Sequence, residues 1–172
     1  MSHLIQTAKS FAITSHERIS HTRRYTGEPY WHHLERVAEI VASVGGNDVQ
    51  VAAAWLHDVV EDTGVAIEEI DSLFGGEVAT LVYELTDVYL PETGVNRATR
   101  KKMESVRLKR TSACAKTIKL ADLLDNSESI LSHDKKFAKT YKSELIDLLD
   151  VLEDGNDVLA ARLRLVIEAN DS

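Results

Sequence analysis

Cysteine occurs once, at Cys114, which excludes an intramolecular disulfide and fits a reducing compartment; a buried apolar role is the expectation for that thiol. Proline occurs twice and glycine eight times, and no internal repeat, low-complexity tract or linker interrupts the 172 residues. A chain of this length is expected to be one domain, with a core large enough to need no staples. The apolar run Val51 to Leu56 is far short of a membrane span, and Met1 to Gln6 lacks a basic segment followed by an apolar stretch. No secretory signal is therefore expected. These absences point to a soluble cytoplasmic protein without membrane partners.

Positive charge is also in deficit. A formal net charge of −8 argues against bulk nucleic-acid binding, which needs a basic face to displace counterions. The exception is local: Arg97, Arg100, Lys101, Lys102, Arg107, Lys109 and Arg110 face one acid, Glu104, within the same stretch. Such a strip suits capture of a small anion, or is simply a solvated helix face.

Period-2 alternation persists in no segment long enough to build a sheet, whereas helical periodicity recurs nearly everywhere. The spacing predicts helices over 3–20, with Ile5, Ala8, Phe11 and Ala12 inward, and over 30–44, with Leu34, Val37, Ala38 and Val41 inward. Asn47 or Asp48 is a plausible N-cap for a central helix through Val51–Leu56. Short helices follow near 66–73 and 76–86, and Asp87 to Asn96, holding Pro91 and Gly94, is the longest candidate loop. Beyond the basic strip, Thr111 or Ser112 caps a long helix to about Leu131, with two more helices near 135–153 and 156–169. The expected class is all-α, with oligomeric state unreadable.

Chemistry concentrates where the greasy central helix ends: Leu56-His57-Asp58-Val59-Val60-Glu61-Asp62. Four ionisable side chains there are expensive to desolvate unless paired or ligated, and a divalent metal is the most economical partner. On a continued helix, His57 with Glu61 and Asp58 with Asp62 would form two adjacent ridges. Further ligands should come from other helices. His32 or His33 is available, the two pointing about a hundred degrees apart. Asp122 interrupts an apolar helix, with Asn126 one turn on; it is a ligand or the partner of a lysine such as Lys119. Asp125 is offset from that face and expected to be solvated or to support a ligand from behind, whereas His3, His16, His21 and His133 are expected to be solvated. Two imidazoles and two carboxylates suit Mn, Fe, Zn or Co.

The blocks Arg24-Tyr25-Thr26-Gly27-Glu28-Pro29-Tyr30 with His33, Leu56-His57-Asp58-Val59-Val60-Glu61-Asp62-Thr63, Phe74-Gly75, and Lys119-Leu120-Ala121-Asp122 with Asn126 resemble the hydrolase domain of the RelA/SpoT family. That family lies within the HD phosphohydrolase superfamily, and the short length resembles its small alarmone hydrolases. The resemblance implies a single HD-type helical domain over 1–172, with its motif core at about 15–131. It selects His33 over His32 and implies a metal site of His33, His57, Asp58 and Asp122 holding one ion, Mn2+ or another divalent metal. By the same matching, Glu61 and Asp62 handle the attacking water, Arg24 packs on the nucleobase, and Asn126 lies near the ribose. Arg100, Lys101 and Lys102 bring positive charge to the phosphates. The implied reaction removes the 3′-pyrophosphate from guanosine tetra- or pentaphosphate. A related nucleotide phosphohydrolase (acting on an adenosine 3′-pyrophosphate or on NADPH) and a catalytically silent nucleotide-binding module are the alternatives. Leu34, Thr22, Leu123 and Asp125 depart from the usual family wording without removing a ligand.

Overall fold

A computed structural model describes residues 2–89 and 94–169. Among these there are ten α-helices and no strand, only an isolated bridge between Thr22 and Pro29. The all-α expectation holds, and among the described residues no helix is long and apolar enough to cross a membrane. Residues 90–93 of the expected long loop, Pro91 included, lie outside the described residues. The chain divides after Thr86 into two compact units.

In the first unit, α1 (His3–Arg18), α2 (Trp31–Ser43) and α6 (Gly76–Leu85) all pack on α3 (Asp48–Leu56). Val51 to Leu56 are buried on every side, as their uniform greasiness requires. Asn47 starts α3 through a reciprocal capping box: its side chain accepts from the Gln50 N–H at 2.9 Å, while Gln50 Oε1 accepts from the Asn47 N–H at 3.1 Å. Helix α5 (Ile67–Phe74) packs on α6. The first helix stops short of the expected residue 20, because Ser20 adopts a left-handed φ of 53° and turns the chain back.

The central helix does not continue through the acidic pair. α3 ends at Leu56, His57 and Asp58 form a turn, and a separate short helix, α4 (Val59–Thr63), follows. The cause is local. His57 Nδ1 lies 2.7 Å from the Ala54 carbonyl, the acceptor a continued helix would offer to the Asp58 N–H. Asp58 then sits at φ −101°, ψ −1°, and α4 closes at Gly64, whose φ of 74° is the left-handed C-cap. The two ridges expected on one helix are therefore replaced by a turn and the start of the next helix.

In the second unit, α8 (Ala113–His133) packs on α9 (Lys135–Leu152) and α10 (Asp157–Ala169), and α7 (Arg97–Leu108) packs on α9. Ser112 caps α8 by accepting from the Ala115 N–H at 3.2 Å. Cys114 is exposed, against expectation: the buried run of α8 starts one residue later, at Ala115. Gly155 lets the turn before α10 touch α8, since a Cβ there would lie 3.0 Å from the Thr117 backbone nitrogen.

Candidate metal centre

Three ligand-type side chains of the first unit converge at the α3–α4 turn. His33 arrives from the first turn of α2, and His57 and Asp58 from the turn itself. One ligand atom from each lies within 4.8 Å of the other two. Asp58 Oδ2 is 3.2 Å from His57 Nε2 and 3.7 Å from His33 Nε2. Ligands about 2.1 Å from a shared ion, at right or tetrahedral angles, are about 3.0–3.4 Å apart; the His57 distance falls in that range and the His33 distance is a few tenths of an ångström longer, so a small inward shift of His33 would complete a site for one cation. His33 is 0% and His57 2% exposed, while Asp58 opens partly to solvent. His32, by contrast, lies half-exposed against the Trp31 ring and 4.0 Å from Glu35.

Tautomers follow from the partners. A carbonyl only accepts, so His57 Nδ1 carries the proton toward Ala54 O and Nε2 presents its lone pair toward Asp58. The Tyr30 hydroxyl donates to Asp58 Oδ2 at 2.6 Å, and its ring packs edge-on against His33 with centroids 5.4 Å apart. Two imidazole nitrogens and a carboxylate fit a divalent metal.

The acidic pair opens α4 beside this trio. Glu61 is exposed and Asp62 partly so. Burial, then the neighbouring Asp58 and Glu61 carboxylates, push the Asp62 carboxyl up to about 7, against an opposing pull from His57 and His33. The pH dependence has a definite sign. Below the ordinary value of 3.8 both folded and unfolded chains hold this proton; between there and about 7 only the folded chain does. The metal-free protein is therefore expected to lose this stabilisation as pH rises through that window. Thermal unfolding should show the Asp62→Asn variant gaining on the wild type from pH 4 to 7; a constant difference would count against the raised carboxyl.

Two histidines that sequence reasoning left in solvent belong to this region. His16 is 1% exposed and His21 only partly exposed. Their Nδ1 atoms meet at 3.0 Å, one ring donating to the other, and His21 Nδ1 is 3.7 Å from Asp62 Oδ2. With Asp62 they form a second set of ligand-type atoms within 4.8 Å. Burial lowers the His16 imidazole to about 4 and also lowers His21, so both rings are neutral near pH 7. The missed signal was periodicity: His16 lies four residues after Ala12 and eight after Ala8, on the face already assigned inward.

Asp122 stands in the buried part of α8, in the second unit. Its Oδ2 accepts from Lys119 Nζ at 2.9 Å and its Oδ1 from Asn126 Nδ2 at 2.5 Å, so the lysine partner offered as the alternative to a ligand role and the Asn126 register are both present. Asp125 is buried, not solvated, because α8 is covered on that side too. The basic strip forms α7 as expected, and part of its charge is already balanced. Arg97 makes a bidentate pair with Glu144 at 2.8 Å, Lys101 lies 3.6 Å from Asp87, and Arg107 pairs with Glu104. Arg100 is half-buried and Lys102 exposed. In the first unit, Arg24 is exposed with its guanidinium 5.4 Å from the Tyr25 ring, while Arg23 is buried 5.8 Å from the Tyr30 ring.

Comparison with known proteins places this geometry in a family. The family model described as HD domain matches residues 8–152. A probable guanosine-3′,5′-bis(diphosphate) 3′-pyrophosphohydrolase of Synechocystis is 39% identical over 132 residues, covering 74% of this chain but only 17% of that protein. The Xenopus tropicalis guanosine-3′,5′-bis(diphosphate) 3′-pyrophosphohydrolase MESH1 is 37% identical over 127 residues, 72% of this chain and 67% of its own length. A solved structure, reported as "A metazoan ortholog of SpoT hydrolyzes ppGpp and plays a role in starvation responses", matches with a TM-score of 0.89 and 27% identity, over 99% of this chain and 97% of that one. The chain thus spans less than a fifth of the cyanobacterial protein's length and about two thirds of the frog protein's. The chain therefore belongs to the HD-domain family.

Proposed function

We propose that the protein is a divalent-metal-dependent hydrolase that removes the 3′-pyrophosphate of guanosine tetra- or pentaphosphate, giving GDP or GTP and pyrophosphate. The convergence of His33, His57 and Asp58, with two carboxylates beginning the next helix, carries the reading. The names of the MESH1 and Synechocystis relatives supply the substrate class. Residues 1–172 act as one HD phosphohydrolase domain in the cytoplasm, on a small nucleotide rather than nucleic acid or membrane.

In this reading His33, His57 and Asp58 hold the ion, with Asp122 as the fourth ligand, an assignment that rests on the family motif. Manganese is the assigned metal. When bound, the cation supplies Lewis acidity toward the attacking water and the phosphate oxygens. Glu61 and Asp62 orient that water and accept its proton. Water oxygen attacks the phosphorus attached to the ribose 3′ oxygen, the bond between them breaks, and the 3′ oxygen leaves as a hydroxyl after gaining a proton. A carboxyl raised to about 7, as for Asp62, suits giving and taking protons near neutrality. Arg24 packs against the guanine, since a guanidinium plane lies well on an aromatic face. Asn126 meets the ribose, and Arg100, Lys101 and Lys102 meet the phosphates.

Purified protein loaded with Mn2+ should release pyrophosphate and GDP from ppGpp. Metal-replete protein that leaves ppGpp intact refutes the assignment, and faster turnover of an adenosine 3′-pyrophosphate or NADPH would move it to those substrates.

A further inference from the structure

Tyr30 occupies an unusual position relative to the trio. It belongs to no helix, lying just before α2, yet its hydroxyl reaches Asp58 Oδ2 at 2.6 Å across 28 residues of sequence. Oδ2 is also the oxygen closest to both metal-facing imidazole nitrogens, 3.2 Å from His57 Nε2 and 3.7 Å from His33 Nε2. A carboxylate oxygen has two lone pairs. One accepts the short, charge-assisted bond from Tyr30, which leaves the other on the same oxygen to serve a cation shared with the imidazoles.

The phenol ring is itself held in place. It stacks on His21 with centroids 3.9 Å apart and planes 8° apart, and on His16 at 4.9 Å and 18°. His16 and His21 are joined edge to edge through their Nδ1 atoms at 3.0 Å, with planes 21° apart. The two imidazoles therefore make one nearly flat platform under the tyrosine. Its backbone is tied as well: the His21 N–H donates to His16 O at 3.0 Å, and the Tyr30 N–H donates to His21 O at 3.0 Å. Ser20, immediately before His21, is the one non-glycine residue with positive φ among the described residues, a conformation that persists only where its surroundings enforce it. The turn it makes returns the chain so that His21 meets His16.

We propose that Tyr30 is a positioning residue for the metal centre: its hydroxyl selects the Asp58 oxygen that faces His33 and His57, and the His16–His21 pair is the platform that fixes its ring. This rests on the reading that Asp58 is a metal ligand. Partners that orient a ligand from behind typically govern affinity by 10–100-fold. The platform also accounts for two histidines that the proposed chemistry leaves without a task.

The test is a metal titration of the metal-free protein with Co2+, read by its visible absorption, alongside thermal unfolding of each variant. Tyr30→Phe keeps the ring on its platform and removes only the hydroxyl. It should bind Co2+ about 10–100-fold more weakly, with an altered absorption band and metal-free unfolding close to wild type. His21→Ala should weaken Co2+ binding in the same direction, and His21→Phe, which restores a flat face, should recover most of the loss. Wild-type affinity and spectrum in Tyr30→Phe overturn the proposal, as does equal loss in His21→Phe and His21→Ala. Asp58→Asn separates the two levels. If it binds Co2+ like the wild type, the ligand assignment itself has failed; if it loses the ion while Tyr30→Phe does not, only the positioning role has.

Discussion

Replacing His57 with asparagine is expected to strip the protein of its divalent ion and to lower turnover of ppGpp by about 10³-fold, the equivalent of about 4 kcal/mol of transition-state stabilisation. The size of the effect follows from position. His57 is almost fully buried, its Nδ1 is tied to Ala54 O, and its Nε2 faces Asp58, so no neighbouring side chain can take over its lone pair without moving the α3–α4 turn. Metal analysis of the purified variant, with circular dichroism to confirm its helices, checks the first half; steady-state turnover with excess Mn2+ checks the second. Recovery of wild-type turnover at high Mn2+ would mean that His57 contributes affinity alone. Stoichiometric metal in the variant would remove it from the ligand set.

Changing Glu61 to glutamine together with Asp62 to asparagine should give the opposite pattern: metal retained at the His33, His57 and Asp58 trio, turnover reduced by about 10²–10⁴-fold. These side chains sit in the first turn of α4, beyond the turn that carries His57 and Asp58. They are amides of nearly the same shape in the variant, so the loss isolates proton handling from packing. Single variants then divide the work. Asp62 is partly buried where Glu61 is exposed, so Asp62→Asn alone is expected to account for most of the loss. A double variant with undiminished turnover would return both residues to the surface.

Much of the first unit's architecture can be read from residue order, and the departures from expectation in both units have physical causes that differ from residue to residue. Asn47 and Gln50 announce the start of α3, and the unbroken apolar run Val51–Leu56 announces its burial, because both are local properties of a helix. The end of that helix is local too, but it is set by a side-chain contact and not by residue type. His57 carries no helix-breaking signal, and only the hydrogen bond from its ring to Ala54 O turns the chain at Asp58. His16 was taken for a surface residue because its type was weighed above its register with Ala8 and Ala12. Cys114 was given a buried role from its residue type, whereas its place one residue before the buried run of α8 leaves it in solvent. Asp125 is buried, which decides against the solvated one of its two expected placements, because α9 and α10 cover α8.

By itself the amino-acid sequence determined that the protein is all-helical, where most helices begin, and which family motif it carries. Helix propensity, capping and apolar period act over a few residues and are written in their order. Tertiary structure alone decided that Asp58 Oδ2 lies within reach of both Tyr30 and two imidazoles, and that His16 and His21 form a pair. Those outcomes depend on separate segments meeting at distances of about 3 Å, the range in which hydrogen bonds form, and no local pattern encodes a distance between residues 28 positions apart.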